Sequence, residues 1–373
     1  GLVVENPGEY GISSNNAANS NLTGSDIHII NAGSRAEADG IYNAGIANLT
    51  NVTVDGARRH GFRLNSGTLT ATNVYVGKFS HSGIYNNAIA EIDDLTIDGQ
   101  LEGSSYGQYG INNQGSGRFT GLGTTTIRRV STRAISNGGT IEYIENLIID
   151  DINGSSAGHG IYNTSSITVG DASINNCAYY GIYNNGGSIS FEDLLIHKIG
   201  QNGIQNAGNS TVSSQNIKIS NVGLINENKA HDGVLNRGTL NVAKELFVDG
   251  ARYGLNRGGN VTVKSLVFKN VSEGIHSEGG GRLTLQEAAT IDTEALLHIN
   301  GTLQTAGDNS VKLSLLVDGQ SDFHGEETID EGLLIVSVAT PELATQVLNS
   351  FYTEDEYALE QRDNDIYLVL NID

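Results

Sequence analysis

The sequence predicts an all-β chain: a right-handed parallel β-helix, a solenoid of about twelve coils, with a C-terminal β-rich cap containing a short helix. Three observations lead there. A four-residue motif returns along the chain at the interval of one coil. Alternating apolar segments lie between its copies. The composition favours tight corners over helices, with 48 Gly and only 2 Pro among 373 residues.

The motif is Gly-Ile-Tyr-Asn, found at Gly40-Ile41-Tyr42-Asn43 and again from Gly83, Gly160 and Gly181. Looser copies begin at Gly11, Gly61, Gly110, Ala134, Gly203, Gly233, Gly254 and Gly274. From Gly40 onward the differences between these positions are 21, 22, 27, 24, 26, 21, 22, 30, 21 and 20. Each repeat is too short to bury an apolar face by itself, so neighbours must stack.

The second pattern reads Asn48-Leu49-Thr50-Asn51-Val52-Thr53-Val54-Asp55-Gly56 and is echoed at Leu95–Gly99 and Leu246–Gly250. Apolar residues alternate with polar ones as in half-buried strands, and Asn, Asp and Gly supply the corners. Stacking places like above like. The motif's Ile is expected in an inward column through Ile41, Phe62, Ile84, Ile111, Ile135, Ile161, Ile182, Ile204, Val234, Leu255 and Ile275. Its Asn is expected in a corner ladder through Asn43, Asn86, Asn113, Asn137, Asn163, Asn184, Asn206 and Asn236, interrupted at Leu64.

The repeat fades after Thr293, which divides the chain into a β-helix over 1–292 and a cap over 293–373. Within the cap, Lys312–Val317, Gly332–Val338 and Asp365–Leu370 read as strands. Thr340-Pro341-Glu342 opens a helix running to about Phe351, with Thr as N-cap and Pro at the first helical position. Such a segment covers the unpaired strand edge at the end of a solenoid.

The strands Gly332–Val338, Tyr357–Gln361 and Asp365–Leu370 resemble the folding-promoting cap of type V autotransporter passenger domains, in which a Leu-Leu-Val-type strand precedes a Tyr-x-Leu and a final Tyr-Leu strand. The coils upstream are similar to those of bacterial adhesin passengers, most closely the UpaB-like passengers of uropathogenic bacteria. The resemblance implies a passenger fragment without its outer-membrane translocator barrel, displayed at the bacterial cell surface. It also implies adhesion to host glycan or to a matrix protein such as fibronectin, or self-association between cells. Serine proteolysis, another activity of that family, is not expected. Gly307-Asp308 runs into Asn309-Ser310, and Gly103-Ser104-Ser105-Tyr106-Gly107 is not followed by the helical pattern that a nucleophile elbow needs.

The 42 acidic residues against 21 Lys plus Arg give a formal charge of −21, which disfavours nucleic acid and anionic membranes as partners of the whole surface. Cys177 is the single cysteine, so no internal disulfide is possible. There is no transmembrane run, and the absence of a leader at Gly1 fits a mature or trimmed export product as well as any other. No cofactor and no metal site are expected.

The scarce positive charge collects at one corner, just before each motif copy. Arg58, Arg59, His60, Lys78, Arg128, Arg129, Arg133, His159 and Lys198 lie there, with Tyr109, Tyr180 and Tyr253. The longest repeats carry their extra residues at the same corner, at 32–39, 99–109, 152–159 and 222–232. These residues are the candidate ligand site for a glycosaminoglycan or another acidic glycan, because Arg forks match carboxylate and sulfate while Tyr packs on sugar rings. The competing expectation is that neighbouring Asp and Glu neutralise the strip and leave a hydrophilic groove. The outward column, with Tyr42, Tyr85, Tyr162 and Tyr183, offers a second aromatic surface. Asp93-Asp94, Asp150-Asp151 and the column Asp55, Asp98, Asp150, Asp249 and Asp292 leave a carbohydrate-cleaving enzyme as the alternative, although Asp before Gly is also ordinary turn chemistry.

Overall fold

A computed structural model describes residues 1–15, 20–33, 38–101, 105–154, 157–223 and 231–277, followed by the strands and helix of the C-terminal region within 282–370. The fold class is all-β, a parallel β-solenoid of about 11 turns. The chain divides into two compact units, Gly1–Leu195 and Ile196–Asp373.

In the first unit each coil consists of a short strand, a tight turn and a longer bent strand, as in Ile41–Asn43 followed by Ile46–Ala57. Ala47, Leu49, Val52, Val54 and Ala57 point inward and are buried. The alternation slips by one residue after Leu49 because Asn51 adopts a left-handed backbone, φ 53°, which turns the strand onto a new face. Asp26, Asn73 and Asp94 do the same at the equivalent position of neighbouring coils, with φ of 54° each. Asn and Asp accept this conformation because their short polar side chains bond locally. A second left-handed corner passes through Asn31, Gly56, Lys78, Arg129, Asp151 and Asn176. Lys78 and Arg129, at φ 51° and 55°, have no such local compensation, so neighbouring coils hold them there.

Coils stack in parallel register: Ile41 on Phe62, Phe62 on Ile84, and so on through Ile111, Ile135, Ile161 and Ile182. Every one of these side chains has zero exposure. The motif glycine is fixed by close approach, since a Cβ on Gly40 would lie 2.4 Å from Val54 Cγ1 and 2.6 Å from the Gly61 carbonyl oxygen.

The Asn ladder forms as expected. Asn86 Nδ2 donates to Asn113 Oδ1 at 2.8 Å, Asn113 to Asn137 at 2.8 Å, Asn137 to Asn163 at 2.8 Å and Asn163 to Asn184 at 2.9 Å. Each amide also donates to a carbonyl of the adjacent coil, as Asn86 does to Arg118 O at 3.0 Å. Leu64 replaces Asn in one coil and is fully buried there.

In the second unit the same columns run Ile204, Val234, Leu255 and Ile275, while Asn206 Nδ2 donates to Asn236 Oδ1 at 2.7 Å. The next ladder position holds Arg257, fully buried. Parallel pairing continues after the Gly-Ile-Tyr-Asn signature ends: Thr302–Thr305 lies on Arg282–Leu285, Leu313–Leu316 on Ala289–Asp292, and Leu333–Val338 on Leu296–Ile299. Leu333–Val338 then pairs antiparallel with Asp365–Leu370, which pairs antiparallel with Tyr357–Arg362. The helix spans Pro341–Leu348, shorter than expected, because Phe351–Tyr352 is drawn into a parallel pairing with Leu313–Ser314. Its expected N-cap, Thr340, lies outside the described residues.

Candidate binding face

Ten of the candidate residues lie in the first unit, and Lys198 and Tyr253 lie in the second. The position just before the motif glycine forms one register column, His60, Ser82, Tyr109, Arg133 and His159. Arg58 and Arg59 occupy the bend before it, whereas Lys78, Arg128 and Arg129 belong to the left-handed corner on the preceding strand. The corner is therefore two adjacent columns.

Most of its cations are held by a carboxylate one coil earlier. Arg59 grips Asp39 with both ends of its fork, Nε to Oδ1 at 3.0 Å and Nη2 to Oδ2 at 2.9 Å, and Asp39 has no exposure. Lys78 Nζ lies 3.1 Å from Asp55 Oδ2. Asp98 receives Arg128 Nε at 3.1 Å and Arg129 Nε at 2.7 Å. Burial would raise the Asp98 carboxyl, but the hydrogen bonds from Arg129 and the Gln100 N–H, with both guanidinium charges, hold it below the usual carboxylate range. In the second unit Arg252 Nη2 sits 2.8 Å from Asp232 Oδ1. Arg59, Lys78, Arg128 and Arg129 are thus each paired with an Asp, whereas neither Arg133 nor Lys198 has a carboxylate partner among the described residues.

What the first unit gathers instead is an aromatic surface in two parts. In the first part His60 lies 4.9 Å from both His81 and Tyr85, His81 lies 5.4 Å from Tyr109, and Arg63 lies 5.5 Å over Tyr42. In the second, His159 stacks on Tyr180 at 5.3 Å, and Tyr183 lies 5.6 Å from Tyr180 and 5.4 Å from Tyr162. Tyr179 packs 4.3 Å from Tyr180, and the Arg133 guanidinium lies 3.8 Å over Tyr162. Asn112 and Ser136 separate the parts, in register between Tyr85 and Tyr162. Each coil rises by roughly 4.8 Å, so Tyr85 and Tyr162 stand about 14 Å apart along this column, while Tyr109 and Arg133 lie on adjacent coils beside it. In the second unit Tyr253 stacks on His276 at 4.4 Å and 5°.

His60 and His159 are each 5% exposed, and their Nδ1 atoms have no hydrogen-bond partner. Burial, with neighbouring positive groups, pushes His60 down to about 2 and His159 to about 4, so both rings are neutral at physiological pH.

Comparison with protein-family models, with curated proteins and with solved structures finds no match.

Chemical assignment therefore rests on the groups themselves. Among the described residues no cluster of three His, Cys, Asp or Glu could hold a metal ion. Cys177 is buried, and burial pushes its thiol up, away from thiolate chemistry. Gly107 opens a strand rather than a helix, while Gly103 and Ser104 lie outside the described residues. Of the extra residues of the long repeats, 34–37, 102–104, 155–156 and 224–230 lie outside the described residues too. Asn31, Gly33, Arg58, Lys78, Ser80 and Leu101 line an open depression of about 530 Å³.

Sequence reasoning did not foresee Asp39 and Asp98 as anchors, or His81 and Tyr179 as parts of the aromatic surface. The usable signal is an acidic residue one coil before Arg59, Lys78, Arg128 and Arg129, but it is visible only once coil lengths are aligned, since the separations are 20, 23, 30 and 31 residues.

Proposed function

We propose that the chain is an adhesin-type binding protein of an exported cell-surface molecule, and that it takes saccharide on the aromatic face of its first unit. The observation that carries this reading is the in-register pair of Tyr and His groups flanking the Asn112–Ser136 strip. Half-exposed Tyr rings offer flat apolar faces to the C–H side of a pyranose and hydroxyls to its edge. One coil rise approximates the advance of one sugar unit, so a chain lying along the stack meets similar groups repeatedly, and weak contacts add by avidity. The Asp-clamped cations argue against a basic strip that attracts a polyanion by charge alone. Matrix protein and a second copy of the chain are the other partners in keeping with the resemblance of the C-terminal strands.

The carbohydrate-cleaving alternative has one observation in its favour. Asp98 is held low, while burial and neighbouring Asp150 push Asp151 up, and such divergence is typical of acid–base pairs. Asp98, however, is 4% exposed and held by two guanidinium groups.

A glycan array probed with the full chain tests both readings when bound glycans are also checked for cleavage. Binding is expected without cleavage, and Tyr162→Ala combined with Tyr183→Ala should weaken it at least tenfold at unchanged thermal midpoint. A silent array would sink the saccharide reading, and cleaved products would replace it with the enzymatic one.

A further inference from the structure

Arg133 differs from the Asp-held cations of its corner. The chain carries 42 acidic residues against 21 Lys plus Arg, and Arg59, Lys78, Arg128, Arg129 and Arg252 each contact an Asp. Arg133 contacts none among the described residues. One face of its guanidinium is stacked on Tyr162 at 3.8 Å, and one terminal nitrogen donates to Ser136 Oγ at 3.2 Å. Its Nε is enclosed and has no partner. Beside it in register is His159, 95% buried by its 5% exposure, whose Nδ1 likewise has no partner. Two enclosed polar atoms without partners thus belong to register neighbours on adjacent coils of the aromatic surface. Leaving such groups unsatisfied is costly unless a ligand completes them.

Stacking uses the π face of a guanidinium and leaves its in-plane N–H groups free to meet a carboxylate. Tyr180 and Tyr183 lie on the following coil, within one ring contact of Tyr162 or His159. We infer that Arg133, Tyr162, His159, Tyr180 and Tyr183 form a subsite for a single carboxylated pyranose, with its carboxylate on the Arg133 edge and its ring on the tyrosines. This rests on the saccharide reading above and deepens it. One cation among aromatic rings fits a sugar carrying one negative charge. A densely sulfated polymer needs a run of unpaired cations, whereas Arg59, Lys78, Arg128 and Arg129 are each held by an Asp. The carboxylated sugar can be a chain-terminal sialic acid or a chain-internal uronic acid.

The test is calorimetric titration of the full chain with 3′-sialyllactose, with a hyaluronan hexasaccharide, and with both after reduction of the carboxylate to the alcohol. At least one acidic probe should bind, which identifies the source, and its reduced form should bind tenfold or more weakly, as expected for loss of a charge-assisted hydrogen bond. Arg133→Gln should produce the same loss on the acidic probe and little on the reduced one. Arg118→Gln, at an exposed pair with Glu142, should change neither. Equal binding of acidic and reduced probes to the unaltered chain overturns the subsite, and that arm does not depend on any variant folding. If the subsite falls while the paired tyrosine substitutions still cost glycan binding, the saccharide reading stands. If no glycan binds at all, both fall.

Discussion

His60 and His159 share one register column of the first unit, each enclosed by aromatic rings and by Arg side chains that disfavour a second positive charge. Their folded pKa values lie below the unfolded value of roughly 6.5. Above that value both states are neutral and stability is at its full level. As pH falls from 6.5 towards 4, the unfolded chain takes up protons that the folded chain refuses, so stability falls by up to about 1.4 kcal/mol per pH unit for each ring. His159 alone then contributes a loss of about 3 kcal/mol at pH 4. Asp98, held low by its arginines, weakens the fold only at more acidic pH, whereas Asp151 and Asp232, pushed up by burial, act in the opposite direction. Denaturant midpoints at pH 7 and pH 5 should therefore differ less in His159→Phe than in the unaltered chain. Equal differences would remove His159 as the cause. At this scale the inward Ile column was legible because one motif position repeats the same chemistry in every coil. The Arg–Asp pairs were not, because each partner sits one coil away at a separation set by an insertion of variable length.

The elements owe their regularity to two devices. Left-handed corners at Asn, Asp and Gly divide each long strand between faces, and the Asn ladder joins consecutive coils through amide groups sealed from water. Asn163 shows what the second contributes: it accepts from Asn137 and donates to Ser165 O at 2.9 Å and Asn184 Oδ1 at 2.9 Å. Asn163→Ala removes one of the two acceptors of the Asn137 amide and the donor to the Ser165 and Ser188 carbonyls and Asn184 Oδ1, and should cost about 2–4 kcal/mol in a denaturant titration. A cost below 0.5 kcal/mol would mean that water replaces the amide. Leu64 shows that the position also admits an apolar side chain where neighbouring coils are shaped to it. The ladder was legible from the motif, including the break at Leu64. Arg257 was not, since nothing in the local pattern marks an arginine as the buried continuation of an Asn column.

On the scale of the whole molecule, the sequence disclosed the solenoid and the location of its C-terminal strands but not how far the stacking runs. Parallel pairing needs backbone amides and alternate apolar residues, not the Gly-Ile-Tyr-Asn signature, so it persists after the signature ends. On Leu333–Val338 it gives way to antiparallel pairing with Asp365–Leu370. Deleting 293–373 leaves the edges of Arg282–Leu285 and Ala289–Asp292 without their partners. Lower soluble yield and a lower unfolding midpoint are expected, because an unpaired edge both frays and recruits other chains. Unchanged unfolding of the shortened chain would refute a capping role. The same stacking also sets the order in which the chain can fold. The ladder in the first unit joins residues 27, 24, 26 and 21 positions apart, so closing a coil never requires a distant segment. Loop-closure entropy is therefore almost the same for every coil, and relative contact order falls as coils are added. A chain delivered end first can add each coil to the one before it as soon as a few tens of residues have emerged, without waiting for the rest.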